Sequence, residues 1–285
     1  IGLDTYYNSV FDAAGVNGKK VDSENYYGSS KDFEKVTTDT FTGKVEHDFS
    51  DRTTLTNTTR YGKSKSDMLL TAPFSVITAT SGANSNPSFN VNNPDTWTVR
   101  RSAHTKWQEN ELFTHQVNVT TYTNTGPLSH NISAGGDVTI ENQTTKTITA
   151  NGTVNQGNLY NPNSSTAITN LNLTKSGAKT FGETKTIGAY AFDSINITDS
   201  VILTGGGRLD KYETKTDITS VTGTTTPQTI PVGTLVSSNL EDSGTLKSWK
   251  LGAVYKPIEN GSIYISHANS QLPPGGANYT LSSSN

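Results

Sequence analysis

Polar and apolar side chains alternate with a period of two residues along most of this chain. In the segment 128–141, apolar residues, a glycine and a histidine occupy the even positions, and polar residues and a glycine occupy the odd positions. The segments 33–49 and 201–212 repeat the pattern. A period of two indicates β-strands whose two faces meet different surroundings. Helical periodicity is nearly absent, so the sequence predicts an all-β fold.

The connections between these strands are of two kinds, and the two kinds alternate. Short turns rich in Asp, Asn, Gly and Pro, which favour tight turns, fall at 49–54, 124–130, 196–201 and 256–262. Long polar stretches cover approximately 66–103, 143–182 and 214–244. The pattern predicts four hairpins, roughly 33–62, 104–142, 184–213 and 245–270. We expect a partial strand near 1–8 before them and a loop at 271–285 after them.

In an antiparallel meander, this alternation places every short turn at one end of the strands and every long loop at the other. Compact domains rarely contain structureless loops of such length. Outer-membrane β-barrels combine short periplasmic turns, long extracellular loops and strands that alternate apolar-out with polar-in. The predicted fold class is therefore all-β, an antiparallel up-and-down outer-membrane β-barrel. The chain supplies four hairpins, about 8–9 strands, which could close an eight-stranded barrel without a wide lumen.

Composition narrows the range of functions. Hydrophobic residues make up 31% of the chain and charged residues 16%, with a mean hydropathy of −0.53. Cysteine is absent, which excludes a disulfide framework, thiol catalysis and a cysteine metal site. The net charge of −3 gives no reason to expect nucleic acid binding. Enzyme motifs are missing and the 5 histidines lack ligand spacing, so we expect neither catalysis nor a metal site.

Three stretches carry motifs of a known family. They are TTDTFTGKVEHDFSDRTTLTNTTRYGKSKSD (37–67), IGAYAFDSINITDSVILTGGGRLDKYET (187–214) and WKLGAVYKPIENGSIYISHANSQLPPGGANYTLS (249–282). The second contains a G-x-R-x-D strand formed by Gly206, Arg208 and Asp210, and the third leads into a Pro-Pro-Gly-Gly loop. In this order, the stretches resemble TonB-dependent outer-membrane receptors for ferric catecholate siderophores.

The resemblance implies a barrel of about 22 strands with an N-terminal plug in its lumen. Residues 1–285 would be part of that transmembrane barrel domain, with the plug domain and the remaining strands absent. The implied function is to form the barrel wall and extracellular loops of a transporter that imports ferric catecholate siderophores across the bacterial outer membrane. The siderophore is then the transported ligand, and no covalent cofactor is expected. The implied partners are the siderophore, outer-membrane lipopolysaccharide, and TonB through the absent plug.

Several outward positions leave two alternatives open. A lipid-facing band should be aliphatic, yet it would contain Gly43, His47, Asn57, His115, Gly136 and Gly207. Either bulges shift the frame locally, or the surface is divergent or engineered. One alternative is a soluble or surface-displayed bacterial β-protein, such as an adhesin or fibre module. The other is an engineered barrel derived from a receptor of this family.

The resemblance also directs attention to candidate ligand residues, because a ferric catecholate is an anion that carries aromatic rings. Its site needs cations for charge and aromatic faces for stacking. The segment TWTVRRSAHTKW (96–107) offers both, in Trp97, Arg100, Arg101, Lys106 and Trp107. The structural alternative places Trp107 in the interfacial aromatic girdle. The arginines would then face lipopolysaccharide phosphates or pair with Glu109 and Glu111.

A second rank of candidates lies in the first and last loops. Tyr26, Tyr27 and Lys31 belong to the first loop, and Tyr279 follows the Pro-Pro-Gly-Gly segment. Arg208 and Asp210 are expected to be structural charges of the barrel wall that contact neighbouring strands or the plug. Beside them, an inward Gly206 would leave room for the plug or a neighbouring chain.

Overall fold

The computed structural model describes residues 21–77, 80–82, 85–90, 92–276 and 279–282. The partial strand expected near 1–8 lies outside these residues, as do positions 277–278 and 283–285 of the expected final loop. Across the described ranges, no helix has the length and apolar character needed to cross a membrane.

Nine strands form one sheet in the described part of the chain. They are β1 (Phe33–Ser50), β2 (Thr53–Ile77), β3 (Thr98–Thr125), β4 (Leu128–Val154), β5 (Gly157–Asn158), β6 (Ile168–Thr198), β7 (Val201–Val221), β8 (Leu235–Ile258) and β9 (Gly261–Asn269). Each long strand lies beside the next one in the chain, and the short β5 pairs with β3. This order confirms the predicted up-and-down meander.

All four predicted short turns are confirmed. Only residues 51–52, 126–127, 199–200 and 259–260 separate the paired strands at these points. Gly126 has a φ of +62°, a left-handed conformation that glycine adopts without steric cost. Register shifts occur beside two of the turns, between Asn196 and Thr198 and between Tyr255 and Ile258.

The long connections are shorter than predicted, because the strands continue into them. β2 extends to Ile77, β4 to Val154 and β7 to Val221, while β6 begins at Ile168 and β8 at Leu235. The predicted loop limits of 66–103, 143–182 and 214–244 are therefore wrong. In the extensions of β4, β6, β7 and β8, both faces carry many Thr, Ser and Asn side chains, so the alternation of polar and apolar residues disappears while the strand pairing continues. The extension of β2 is instead largely apolar.

The chain divides into two compact units. The first, which we call the core unit, comprises Ile1–Val36, Ser66–Trp107 and Lys146–Ser176. The second, the wall unit, comprises Thr37–Lys65, Gln108–Thr145 and Gly177–Asn285.

The core unit has a hydrophobic cluster of the kind found in water-soluble proteins. Its fully buried members are Val21, Tyr27, Trp97, Val99 and Leu159. The Trp97 side chain is 1% exposed, and its indole Nε1 donates a hydrogen bond of 2.9 Å to the carbonyl oxygen of Asn90. A buried indole usually finds such an acceptor.

The wall unit has the opposite arrangement. In β7, Thr214 and Thr216 are 0% exposed, whereas Leu209 is 57% exposed. Ile187 of β6 and Leu251 of β8 are also largely exposed, at 62% and 59%. We call the side of β6–β8 that carries Arg208, Thr214 and Thr216 the polar face, and the side that carries Ile187, Leu209 and Leu251 the apolar face. A sheet that exposes its apolar side chains is suited to contact with lipid.

Candidate functional site

The polar face of the wall unit holds a charge network centred on Arg208. Its guanidinium donates to both carboxylate oxygens of Asp137, from Nη1 at 2.6 Å and from Nη2 at 3.0 Å. Its Nε donates to Oδ2 of Asp210 at 2.8 Å. The planar fork of arginine matches such paired acceptors. The arrangement joins β7 to β4 although β6 lies between them in the sheet.

Gly188 of β6 makes this crossing possible. It pairs with Asp210, and a Cβ atom at Gly188 would collide with the Arg208 guanidinium and the Asp210 carboxylate. Because Gly188 has no side chain, the Arg208 guanidinium has the space to cross β6 and reach Asp137. Asp137 lies on the polar side of the predicted strand 128–141, but nothing in the local sequence marks it as the partner of Arg208.

Tyr190 extends the network to β3. Its phenol donates to Oδ1 of Asn118 at 3.0 Å and accepts from Nε2 of Gln116 at 3.0 Å. The Arg208 guanidinium lies 5.8 Å from the centre of the Tyr190 ring. The side chains of four strands are thus joined across the polar face, and the predicted wall charges Arg208 and Asp210 lie in the middle of this network.

The predicted space beside Gly206 is filled. A Cβ atom at Gly206 would collide with the ring of Phe192, its partner on β6. On the apolar face, a Cβ atom at Gly205 would lie 3.2 Å from Leu251. The expectation of open room at Gly206 is therefore wrong, because a large neighbouring side chain occupies the position.

A segment of the last loop lies on the polar face of the wall unit, and we call its residues 274–276 and 279–282 the strap. Thr214 donates from Oγ1 to the Pro274 carbonyl at 3.4 Å, and the Leu281 amide donates to Oγ1 of Thr216 at 2.8 Å. Gly275 and Gly276 have φ values of +98° and +53°, which glycine tolerates best. The strap explains why the two threonine hydroxyls are buried.

Tyr279 fixes the strap to β4. Its phenol donates a hydrogen bond of 2.9 Å to Oε1 of Glu141. Burial, together with this hydrogen bond and the nearby carboxylate charge, raises the pKa of Tyr279 to about 12. The phenol therefore stays protonated at neutral pH and can keep donating to Glu141.

Two residues of the predicted ligand cluster lie inside the core unit. Trp97 belongs to the hydrophobic cluster described above, and Arg101 is 5% exposed. Arg101 donates from Nη1 to the carbonyl oxygen of Asn163 at 3.2 Å, and the absence of a side chain at Gly157 leaves room for its guanidinium. In the described structure, both residues pack against protein rather than solvent.

The neighbouring residues of that cluster point elsewhere. Successive strand residues alternate sides, so Arg100 diverges from Arg101 and places its guanidinium 4.5 Å from the centre of the Phe74 ring. The Trp107 ring lies 3.9 Å from Nζ of Lys146. Lys106 is exposed.

The acidic partners considered for these arginines are engaged by another residue. Glu109 and Glu111 both pair with Lys63, at 2.9 Å and 2.7 Å. The alternative that pairs them with Arg100 and Arg101 is therefore not what the structure shows.

The tyrosines of the first loop differ in accessibility. Tyr27 is 6% exposed, and its phenol donates to the carbonyl oxygen of Leu159. Tyr26 is 58% exposed and donates to Oδ2 of Asp32 at 3.1 Å. Burial and the Asp32 carboxylate raise the pKa of Tyr26. Lys31 is exposed. Among the candidate ligand residues of the core unit, Tyr26, Lys31 and Lys106 are therefore the exposed ones.

In the described ranges, no group of three or more His, Asp or Glu side chains is placed to hold a metal ion. His115 of β3 instead lies beside polar side chains of β2. His115 lies 2.8 Å from Oγ1 of Thr59 and 3.4 Å from Nδ2 of Asn57. Such pairing reduces the cost of placing polar side chains against lipid.

The wall unit has the features expected of the wall of an outer-membrane up-and-down β-barrel. Its strands are joined by short turns, one face exposes apolar side chains, and the other face carries a network of hydrogen-bonded polar side chains. A family profile described as TonB dependent receptor-like, beta-barrel, matches residues 2–285. The chain belongs to this family. Its members are outer-membrane transporters rather than enzymes, so the predicted partial barrel and outer-membrane location are confirmed.

Individual relatives agree with this assignment. The chain is 39% identical over 292 residues to the catecholate siderophore receptor Fiu of Escherichia coli K12, covering 100% of this chain and 37% of that protein. It is 30% identical over 288 residues to the probable TonB-dependent siderophore receptor PiuA of Acinetobacter baumannii, covering 95% of this chain and 35% of that protein. The chain therefore spans little more than a third of the length of the curated relatives it matches.

A solved structure gives the same result. The crystal structure of the ferric-catecholate import receptor Fiu from E. coli K12, in its closed form, superposes with a TM-score of 0.82 at 38% identity. The match covers 95% of this chain and 37% of that one.

Proposed function

We propose that the chain forms part of the barrel wall and extracellular loops of a TonB-dependent transporter that binds and imports ferric siderophores of the catecholate class. The observation that carries the proposal is the similarity to Fiu, which extends over 100% of this chain in sequence. The exposed apolar face of β6–β8 supports a membrane location and does not favour the soluble or surface-displayed alternative.

The proposal treats residues 1–285 as part of one transmembrane barrel domain. A plug domain and further strands, supplied by other parts of a longer protein, would complete the lumen, and TonB would act through the plug. Lipopolysaccharide would surround the barrel in the outer leaflet. The siderophore is cargo, so no covalent chemistry is required of any side chain.

The accessible cations and aromatic groups of the core unit are our proposed cargo contacts. Arg100 combines a guanidinium with the Phe74 ring at 4.5 Å, and Lys106 and Tyr26 are exposed. Such groups suit an anion with aromatic rings. Trp97, Arg101 and Tyr27 would support these contacts from inside the unit, and Trp107, Lys31 and Tyr279 are further contact candidates.

The test is radiolabelled iron uptake by cells whose only catecholate receptor is the full-length protein that contains this chain. We expect uptake of a ferric catecholate that requires TonB, and no uptake of a ferric hydroxamate. Import of the hydroxamate instead would contradict the catecholate assignment, and import of neither would contradict the transport proposal.

Cargo contact is tested with the double variant Arg100→Ala, Lys106→Ala. Because charge and stacking are both lost, binding of the ferric catecholate should weaken roughly ten-fold, which equals about 1.4 kcal/mol. The matched control is Lys44→Ala in β1, an exposed lysine of the wall unit. If the double variant binds the ferric catecholate as tightly as the control and the unaltered receptor do, Arg100 and Lys106 do not contact the cargo.

A further inference from the structure

The dipeptide Asn-Gly occurs three times in this chain, at 17–18, 151–152 and 260–261. An asparagine in this dipeptide loses its side-chain amide readily, because glycine has no side chain that would hinder attack by its own backbone nitrogen. The first pair lies outside the described residues. The other two lie in opposite surroundings, which predicts that they react at different rates.

Asn260 lies in the two-residue turn between β8 and β9. Every residue from Tyr255 to Asn260 is exposed. Within the described part of the chain, the Asn260 side chain has no hydrogen-bond partner. Its amide group can therefore rotate towards the backbone nitrogen of Gly261 without losing a contact.

The strand pairing beside this turn is irregular. Ile258 pairs with Gly261, but the next pair joins Tyr255 to Ile263, so β8 advances by one residue more than β9 over this interval. Pro257 lies within the interval and has no backbone N–H to donate. A bulge of this kind leaves a residue unpaired, so the backbone here can adopt the conformation that ring closure requires.

Asn151, by contrast, is held in place inside β4. Its Nδ2 donates to Oγ1 of Thr174 at 2.7 Å and to the carbonyl oxygen of Asn172 at 3.3 Å. A Cβ atom at Gly152 would lie 2.6 Å from the carbonyl oxygen of Thr169, so the Gly152 backbone packs closely against β6. Ring closure at Asn151 would have to break both hydrogen bonds and displace the neighbouring strand.

We propose that Asn260 deamidates through a succinimide in the folded protein and that Asn151 does not. The backbone nitrogen of Gly261 forms a bond to Cγ of Asn260, and the bond between Cγ and Nδ2 breaks. The amide proton of Gly261 leaves with Nδ2 as ammonia. Water then opens the ring at either carbonyl and yields aspartate or isoaspartate at position 260. The reaction needs only water and does not depend on the cargo.

The modification changes the turn in two ways. Either product replaces a neutral amide by a carboxylate beside Glu259, and isoaspartate also lengthens the backbone of the turn by one carbon atom. Because turn geometry fixes the register of a hairpin, the isoaspartyl form should lose the pair between Ile258 and Gly261. Short turns of such barrels are periplasmic, so the change would accumulate with time at the periplasmic end of β8 and β9.

The experiment incubates the folded, full-length receptor in detergent at mildly alkaline pH, in water enriched in heavy oxygen. Peptide mass spectrometry then follows positions 151 and 260, since only a residue hydrolysed during the incubation acquires the label. Labelling should be roughly ten-fold faster at 260 than at 151, because the two hydrogen bonds of Asn151 oppose ring closure. After unfolding in urea, the two rates should agree within about two-fold, because the folded contacts are gone.

The control variant is Gly261→Ala, whose methyl group hinders the attack. It should slow labelling at 260 roughly ten-fold and leave position 151 unchanged. Unchanged heat-modifiable mobility on gels would show that the variant is folded. In the unaltered folded receptor, equal rates at 151 and 260, or a slower rate at 260, would overturn the proposal. Labelled aspartate without isoaspartate would overturn the succinimide route, because direct hydrolysis of the amide yields aspartate alone.

Discussion

The core unit and the wall unit are both built from β-strands, but they bury opposite kinds of side chain. In the core unit Trp97 is 1% exposed, and Val99 and Leu159 are fully buried. In the wall unit Thr214 and Thr216 are fully buried, while Leu209 is 57% exposed. Water favours the first arrangement, because removing apolar surface from water drives folding. Lipid permits the second, because an apolar side chain gains nothing from leaving hydrocarbon.

The comparison also shows what holds the wall together. Its buried polar groups hydrogen-bond to one another, as the hydroxyls of Thr184 and Thr214 do at 3.0 Å. The backbone N–H and C=O groups of its strands are hydrogen-bonded to neighbouring strands. Packing should therefore dominate the stability of the core unit, and polar contacts that of the wall unit. The predictions below test this difference, from the largest expected effect to the smallest.

The largest effect is expected for Trp97→Ala in the core unit. Removing this buried indole leaves a cavity beside Val99 and Leu159, which costs about 3–5 kcal/mol. Limited proteolysis of the folded receptor should then cleave the core-unit loops rapidly. Trp249→Ala is the control, because Trp249 is 40% exposed on the apolar face of the wall. Similar cleavage of both variants would contradict the assigned packing role of Trp97.

In the wall unit, Arg208→Ala should be nearly as damaging. It leaves the carboxylates of Asp137 and Asp210 buried without their cation, and breaking such a pair costs about 3–5 kcal/mol. The measurement is the temperature at which the folded band on a detergent gel converts to the unfolded band.

The control for Arg208→Ala removes all three charges together. The triple variant Arg208→Met, Asp137→Asn, Asp210→Asn leaves no unpaired charge and should recover much of the lost stability. If the Arg208→Ala receptor unfolds at the same temperature as the unaltered receptor, the charge network does not contribute to stability.

A charge on the apolar face should have an intermediate effect. Leu251 pairs with Gly205 well inside the apolar face, so Leu251→Lys should cost about 2–4 kcal/mol. The control is its neighbour on the opposite face, where Lys250→Leu should change stability by less than about 0.5 kcal/mol. Both are measured by denaturant unfolding in lipid vesicles. Equal effects would mean that the two faces do not meet different surroundings.

The smallest effect is expected for Tyr279→Phe, which removes one hydrogen bond to Glu141 and costs about 1 kcal/mol. Protease access to the strap should increase without global unfolding.

The unaltered strap should also respond to alkali. The pKa of Tyr279 is raised from 10.0 to about 12, so its contribution is complete below pH 10 and is lost as the pH rises toward 12.

Ultraviolet titration of tyrosinate checks the alkaline prediction. The unaltered receptor should contain a late-titrating tyrosine that Tyr279→Phe removes. Identical titration curves for the two proteins would contradict the raised pKa.

The parts of the fold that the sequence could predict are those encoded locally. Asp, Asn, Gly and Pro clusters mark the four short turns, and the alternation in 128–141 identifies both faces of β4. Strand length could not be predicted, because the alternation of polar and apolar residues ends where Thr, Ser and Asn occupy both faces, while the strands continue to Val154 and Val221.

The contacts of the candidate site depend on tertiary pairing and could not be read. Arg208 and Asp137 are 71 residues apart in the chain, and Tyr279 and Glu141 are 138 apart. The role of Gly188 is not visible in the sequence, because it depends on the Arg208 side chain crossing over Gly188 in the folded sheet. The arginine and tryptophan cluster of 96–107 indicates charge and aromatic character, but only packing separates the buried Arg101 from the half-buried Arg100.

The central claim is that the apolar face of the wall meets lipid while the polar face does not. Because this chain contains no cysteine, nitroxide labels can be attached one at a time to cysteines introduced at positions 203–209 of β7 in the receptor reconstituted in lipid vesicles. Collision rates with oxygen, which concentrates in lipid, should peak at 203, 205, 207 and 209 and fall at the positions between them. A profile without this two-residue period, or one with its maxima at 204, 206 and 208, would contradict the account.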